Sequence, residues 1–321
     1  MKALLHNSYG EPSALRVGTA PIPSPAKGEV LIKVAAASVN AADVFLMRGV
    51  PRVIRMGRGL RRPKASALGL DLAGTVVSLG PGVTEWSIGD RVFGQGIGTF
   101  AEYAVARVDK LTALPDGVCA EHAATLPVAG VTALRGVRLA QVRLAQRVVV
   151  TGAAGGVGQF AAQLAALQGA QVIAVCSGRN VERVRSLGIE TVVDYETQDV
   201  LNTDEPYDVV FDNAGGVRIR DWRTVVPRGG TILPNSGVKG PDGGALMRVA
   251  KTQWHRVVAP QRVRSFMADV SSSALLELGD LLATGRIAPL IDTMFTLDHA
   301  PEAIDRVATH HARGKVVVTM E

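Results

Sequence analysis

The stretch Val148–Ala166, VVVTGAAGGVGQFAAQLAA, decides the fold. Three consecutive valines make a short apolar run of the kind that is buried on both faces of a parallel sheet. The run passes directly into a glycine-rich turn, and the turn into alanines and leucine at helical spacing. The turn reads Ala153-x-Gly155-x-x-Gly158, the pattern G-x-G-x-x-G with Ala in the first slot. That motif carries weight only between a strand and a helix, and here it has both neighbours. Missing side chains let the backbone approach a pyrophosphate, whose charge the helix N-terminus holds. Ala153, Ala154, Gly155, Gly156, Val157 and Gly158 are therefore read as a dinucleotide cradle; the plainer alternative is an ordinary glycine-rich turn.

Outward from this loop, residues 120–259 alternate strand and helix: RVVVTG, VGQFAAQLAALQG, QVIAVC, NVERVRSLG, TVVDY and DVVFDNAGG. Such alternation implies an α/β fold with a doubly wound parallel sheet. Residues 1–119 read differently, with strand patterns such as EVLIKVAAASV and LAGTVVSLG separated by proline- and glycine-rich turns. Beyond residue 260 a helix, SALLELGDLLATG, precedes a final strand, GKVVVTM. The predicted organisation is a dinucleotide domain, 120–259, inserted into a β-rich domain built from 1–119 and 260–321.

The dinucleotide's identity is read at the end of the second strand, where an acid would hold a bare ribose hydroxyl and repel a 2′-phosphate. No Asp or Glu occurs between Glu121 and Glu182. The strand VIAVC instead runs into SGRN, offering the Ser177 hydroxyl and the permanent charge of Arg179. NADPH is the expected cofactor. The competing reading makes Arg179 a solvated residue at a helix start.

Composition limits the classes. The chain has 321 residues, a formal charge of +6 and 4% aromatics. The charge suits an anionic ligand, but no basic run is interleaved with stacking rings, so no nucleic-acid partner is expected. No apolar stretch approaches the roughly 20 residues of a membrane span. The apolar run after Met1 stops at His6, too short for a signal segment, and a cytoplasmic location is expected. Cys119 and Cys176 are too few and too far apart for a disulfide framework or a cysteine-rich zinc site, and both are read as small buried residues.

NAADVFLMRG, GLDLAGTV, GDRVFG, GTFAEYAV, LPVAGVTAL, AAGGVG and RGKVVVTM follow one another along nearly the whole chain. In that order they resemble the zinc-independent medium-chain dehydrogenases/reductases, in the quinone oxidoreductase-like branch. The resemblance implies a GroES-like β-rich catalytic domain beside a Rossmann domain, and commonly a homodimer. It places Asn40 and Thr132 at the nicotinamide, and Ser177, Arg179 and Tyr195 around the adenosine 2′-phosphate. Asn213, Asn235, Ser236, Gly237 and Phe266 fall in loops that line the nicotinamide, and Lys315 is a phosphate or active-site cation. One position departs from the pattern: Phe45 stands where many of these enzymes have Tyr, and a phenyl ring cannot donate a proton.

Zinc relatives carry Cys and His where this chain has Asn40 and Leu70, and the six histidines show no metal-ligand spacing. His310 and His311 are read as an exposed helix end. Asp71, next to Leu70, is expected to be a structural acid paired with a cation such as Lys315. Without a Lewis acid, alcohol oxidation loses its usual driver, whereas a quinone or α,β-unsaturated carbonyl spreads incoming charge into its own carbonyl. The sequence therefore points to an NADPH-dependent reductase of quinones or enones. An enoyl reductase acting on polyketide or acyl thioesters is the rival within the enzyme class; an NADPH-binding sensor or RNA binder without turnover is the rival outside it. Arg48, Arg52, Arg55, Arg58, Arg61, Arg62 and Lys64 form an acid-free basic loop, read either as recruiting an anionic substrate or as a solvated surface segment.

Overall fold

The computed structural model describes the chain except residues 54, 57, 58, 64–66, 237–239, 268, 311 and 321. It divides into two units: Met1–Val131 with Asp269–Glu321, and Thr132–Ala268. The sequence had suggested breaks at 119/120 and 259/260. The strand Arg262–Val263 pairs in parallel with Thr231–Pro234, which keeps the chain beyond Pro260 in the second unit. At the other break, Val128 donates its backbone N–H to Asp71, tying the start of the helix Pro127–Ala140 to the first unit.

The second unit holds six parallel strands. In spatial order they are Thr191–Asp194, Gln171–Cys176, Arg147–Thr151, Val209–Asp212, Thr231–Pro234 and Arg262–Val263. Numbered along the chain this is 3-2-1-4-5-6, the Rossmann order, in which the direction of winding reverses between strands 1 and 4. Val148, Val149 and Val150 of strand 1 are fully buried, as a two-sided strand requires. Val149 shares a core cluster with Ile173, Val210, Trp222 and Ile232.

The first unit is built on a seven-stranded sheet whose long strand, Glu29–Val39, pairs with Asp71–Leu79, Tyr103–Arg107 and Lys315–Thr319. Along Glu29–Val34 the residues Val30, Ile32 and Val34 turn inward onto Leu72, Val76, Val92 and Phe100. Each such fully buried aliphatic contributes roughly 1.5–3 kcal/mol. The strand Lys315–Thr319 pairs antiparallel with the long strand on one side and parallel with Ile291–Thr296 on the other.

Among the described residues, the β-rich pattern of residues 1–119 conceals the helix Ala41–Arg48. Asp43 Oδ2 accepts the Asn40 backbone N–H at 2.8 Å, which satisfies one free donor at the helix start. Gly49 ends the helix at φ +59°, and a Cβ there would fall 2.6 Å from the Tyr9 ring. Only glycine fits that stop.

Cys176 is buried, but Cys119 is exposed, against the expectation for both. Cys119 precedes the four-residue helix Ala120–Ala123, whose buried position is taken by Ala123. His310 is exposed just beyond the helix Ala300–Ala308, and His311 lies outside the described residues.

Candidate active site

In the second unit the strands' C-terminal ends enclose a cavity of about 570 Å³. Thr151 and Gly152 from strand 1, Asp212 and Ala214 from strand 4, and Tyr195 and Glu196 beyond strand 3 are among its walls. This is the switch point at which doubly wound sheets bind ligands. Gly155 precedes the helix Gly156–Leu167 in extended conformation, so the helix begins with unspent N–H groups. A Cβ on Gly158 would lie 2.1 Å from the Gly152 carbonyl oxygen. Helix and turn therefore approach closely enough to leave a side-chain-free cradle, which fits a dinucleotide pyrophosphate.

Sequence reasoning overlooked what fixes this crevice. Asp212, fully buried, accepts hydrogen bonds from Thr151 Oγ1 at 2.8 Å, Gly215 N at 2.9 Å and Trp222 Nε1 at 3.3 Å. Its fourth partner is the guanidinium of Arg248, 2% exposed, on the helix Ala245–Val258. Asn213 and Asn235 join at 2.9 Å, and Asn213 also donates to the Thr151 carbonyl at 3.2 Å. Ser236 Oγ donates to the Ala214 carbonyl at 3.2 Å. These three residues hold the strand ends together. Gly237 lies outside the described residues. Phe266 is near Gly136 and Phe211, 3.0 Å from where a Gly136 Cβ would stand, and is not among the cavity walls.

At the end of strand 2, Ser177 is buried with its Oγ accepting from Asn180 Nδ2 at 3.0 Å, while Arg179 is exposed. Tyr195 is 61% exposed and lines the cavity. Two acids reach the same corner from the neighbouring strand's end: Glu196 accepts the Gly178 N–H at 3.3 Å, and Asp194 Oδ2 lies 2.7 Å from a Cβ built on Gly178. Both lie beyond the acid-free segment between Glu121 and Glu182. The parallel pairing of Asp194 with Cys176 is what brings them in.

In the first unit, Asn40 and Lys315 meet in a buried polar cluster. Lys315 Nζ, on a residue 2% exposed, donates to Asn40 Oδ1 at 2.6 Å and to the Val39 carbonyl at 3.2 Å. Asn40 Nδ2 donates to Asp71 Oδ2 at 2.8 Å and to the Ser38 carbonyl at 3.3 Å. Both amide hydrogens of Asn40 are thereby committed. Asp71 also accepts from Ser38 Oγ at 3.2 Å and Val128 N at 3.1 Å, and stands 3.8 Å from the Lys315 ammonium. Asp43, equally buried, takes the Asn40 N–H on Oδ2, is also held by the Asn40 side chain, and has nothing on Oδ1. Burial, reinforced by the Asp71 charge, pushes Asp43 up to about 7; burial pushes Asp71 up to about 6, against the pull of Lys315 and its hydrogen bonds. Burial lowers Lys315, with the two carboxylates opposing. Thr132, at the start of the second unit, is buried.

The basic loop is partly absorbed by local structure. Arg48 forks onto Glu11, and Arg55 lies 4.4 Å from the Tyr9 ring centroid while donating to the Gly49 carbonyl. Arg52, Arg61 and Arg62 are exposed; Arg58 and Lys64 lie outside the described residues.

The alcohol dehydrogenase GroES-like domain family matches residues 26–116, and the zinc-binding dehydrogenase family matches residues 187–318. The chloroplast envelope quinone oxidoreductase homolog of Arabidopsis thaliana is 33% identical over 99% of this chain and 98% of its own. The NADPH-dependent alkenal/one oxidoreductase of the same plant is 28% identical over 99% of this chain and 79% of its own. The solved structure of the quinone oxidoreductase from Coxiella burnetii superposes with a TM-score of 0.87 at 29% identity, covering 100% of this chain and 99% of that one. Fold, cradle and relatives define a nicotinamide-dinucleotide oxidoreductase. More narrowly, the chain belongs to the quinone oxidoreductase-like branch of the medium-chain dehydrogenases/reductases.

Proposed function

We propose that the protein is a zinc-independent, NADPH-dependent reductase of quinones or α,β-unsaturated carbonyls. The observation that carries this reading is the Lys315–Asn40 contact. A buried ammonium 2.6 Å from Asn40, with the apolar Leu70 in the companion position, opposes a dication where zinc relatives hold theirs. Substrates that delocalise the arriving charge themselves are favoured. Bound in the cradle, the reduced nicotinamide supplies the hydride. The protein's share is placement: the glycine turn holds the pyrophosphate, Asp212 and the two asparagines fix the loop beside it, and the cluster under Asn40 fixes the amide's orientation.

Arg179 and Ser177 favour the 2′-phosphate, while Asp194 and Glu196 act against it, so the expected preference for NADPH over NADH is modest. Converting Ser177 or Arg179 to Asp reverses it; an unchanged ratio of kcat/KM for the two cofactors refutes the assignment. Arg52, Arg61 and Arg62 support an anionic substrate. The exposed Trp254 and Val257 on the helix Ala245–Val258, together with the short edge strand Arg262–Val263, support a homodimer, which sedimentation tests. A cytoplasmic location belongs to the same reading, and cell fractionation checks it. Oxidation of NADPH in the presence of quinones, enones and enoyl thioesters tests the function; tight NADPH binding without oxidation across that panel overturns it.

A further inference from the structure

Two buried carboxylates, Asp43 and Asp71, share their surroundings with one ammonium, Lys315, so full ionisation leaves this interior region with a net negative charge. One proton makes the cluster neutral. The donor inventory assigns it. Asp71 accepts from Ser38, Asn40 and Val128, with Lys315 beside it, and is solvated as an anion should be. Asp43 is held by Asn40 alone and has a bare Oδ1. Burying a neutral hydroxyl without a partner costs far less than burying a charge without one.

We propose that Asp43 is a positioning residue of this enzyme, holding the cluster's one proton so that Lys315 stays bound to the Asn40 amide oxygen. Loss of that proton leaves Lys315, the one cation among the described residues that bears on Asp43, facing two anions. The ammonium is then drawn from the neutral oxygens of Asn40 and Val39 toward Asp71, and the Asn40 amide loses the bond that fixes its plane. The charged groups that bear on Asp43 are Asp71 from the strand Asp71–Leu79 and Lys315 from the C-terminal strand. Both carboxylates are raised, Asp43 more than Asp71, which agrees with one proton held at Asp43.

The inference rests on the oxidoreductase reading, within which the family resemblance assigns Asn40 its part. Its tests separate the two. The first is infrared difference spectroscopy of the full-length protein between pH about 5.5 and about 8.5, a window that brackets an elevated carboxyl. A protonated-carboxyl band is expected at the acid end, lost toward the alkaline end and absent in Asp43→Asn at every pH. A wild-type protein without the band, or an Asp43→Asn protein that keeps it, overturns the proposal.

The second test is kinetic. In the wild type, kcat falls roughly tenfold per pH unit above the titration while KM for NADPH stays level, and Asp43→Asn removes that inflection. An inflection that survives in Asp43→Asn also overturns the proposal. Should Asp43→Asn fail to fold, Lys315→Met serves instead: without the ammonium, loss of the band moves to higher pH, and a move to lower pH refutes the shared-proton account. Absence of turnover with every NADPH acceptor would sink the oxidoreductase reading and leave the infrared result standing.

Discussion

Replacing Asp212 by Asn should strike the cofactor crevice at its most charged point. The carboxylate receives four donors, one of them the Arg248 guanidinium, and both residues are almost wholly buried. Asn offers one carbonyl oxygen and turns an NH2 toward groups that are themselves donors. Arg248 is left with Asp242 at 4.0 Å, the Gly215 carbonyl at 3.5 Å and an Nε that has no partner to begin with. Breaking one side of a buried ion pair costs about 3–5 kcal/mol. For a unit of this size that lowers Tm by roughly 10–20 °C, at a few degrees per kcal/mol. Urea unfolding followed by tryptophan fluorescence is well placed to see it, since Trp222 donates to the same carboxylate. Adding Arg248→Met should restore at least about 2 kcal/mol, because the stranded charge goes with it. A single variant losing under about 1 kcal/mol, or a double variant no better than the single, would refute the account.

Gly158→Ala should weaken NADPH binding by tenfold or more in equilibrium titration, because its Cβ meets the Gly152 carbonyl at 2.1 Å and forces the turn open. Cys119 should react with a thiol reagent at once in the native protein. Cys176, pushed up to about 11 by burial and then by the Asp194 charge, should react only on unfolding, so two fast thiols would contradict the structure. Arg61→Gln with Arg62→Gln should raise KM for a carboxylated enone several-fold at low salt and scarcely at high salt; no change at low salt removes substrate recruitment from the role of that loop. Asp43 has a folded-state value raised from 3.8 to about 7, so the native state binds the extra proton between those values. Stability should therefore fall as pH rises from about 4 to about 7, and Asp43→Asn should flatten that slope in denaturant titrations.

The features legible in sequence were those written into adjacent residues. Strand, turn and helix around Gly155 sit in one window, and the period-2 burial of Val30, Ile32 and Val34 is visible without knowing what they pack against. The helix Ala41–Arg48 escaped notice because eight residues amid strands give little periodicity, although Asn40, Asp43 and Gly49 carried its start and stop signals. What could not be read were contacts made by topology. Arg248 meets Asp212 from 36 residues away, and Lys315 meets Asn40 across 275. No local pattern distinguishes the buried Arg248 on the helix Ala245–Val258 from the exposed Arg256 of the same helix. Asp194 and Glu196 were likewise invisible to a search that followed one strand to its end, since a parallel sheet aligns the ends of several. Asp71 was legible as a structural acid beside Lys315 because the motif context placed both; its neighbour Asp43 was not.

The C-terminal strand has a consequence for how the protein is made. Lys315 leaves the ribosome more than 240 residues after Asp71 and later still after Asp43. Until that strand arrives, two carboxylates await burial without their counter-charge, and the long strand Glu29–Val39 lacks its partner over Ala36–Val39. The dinucleotide unit, contiguous from Thr132 to Ala268, carries no such debt and can close while the rest is still being synthesised. Synthesis thus orders assembly, with the cofactor cradle first and the Asn40 cluster last, and a chain cut short before Lys315 is expected to bind dinucleotide but leave that cluster open.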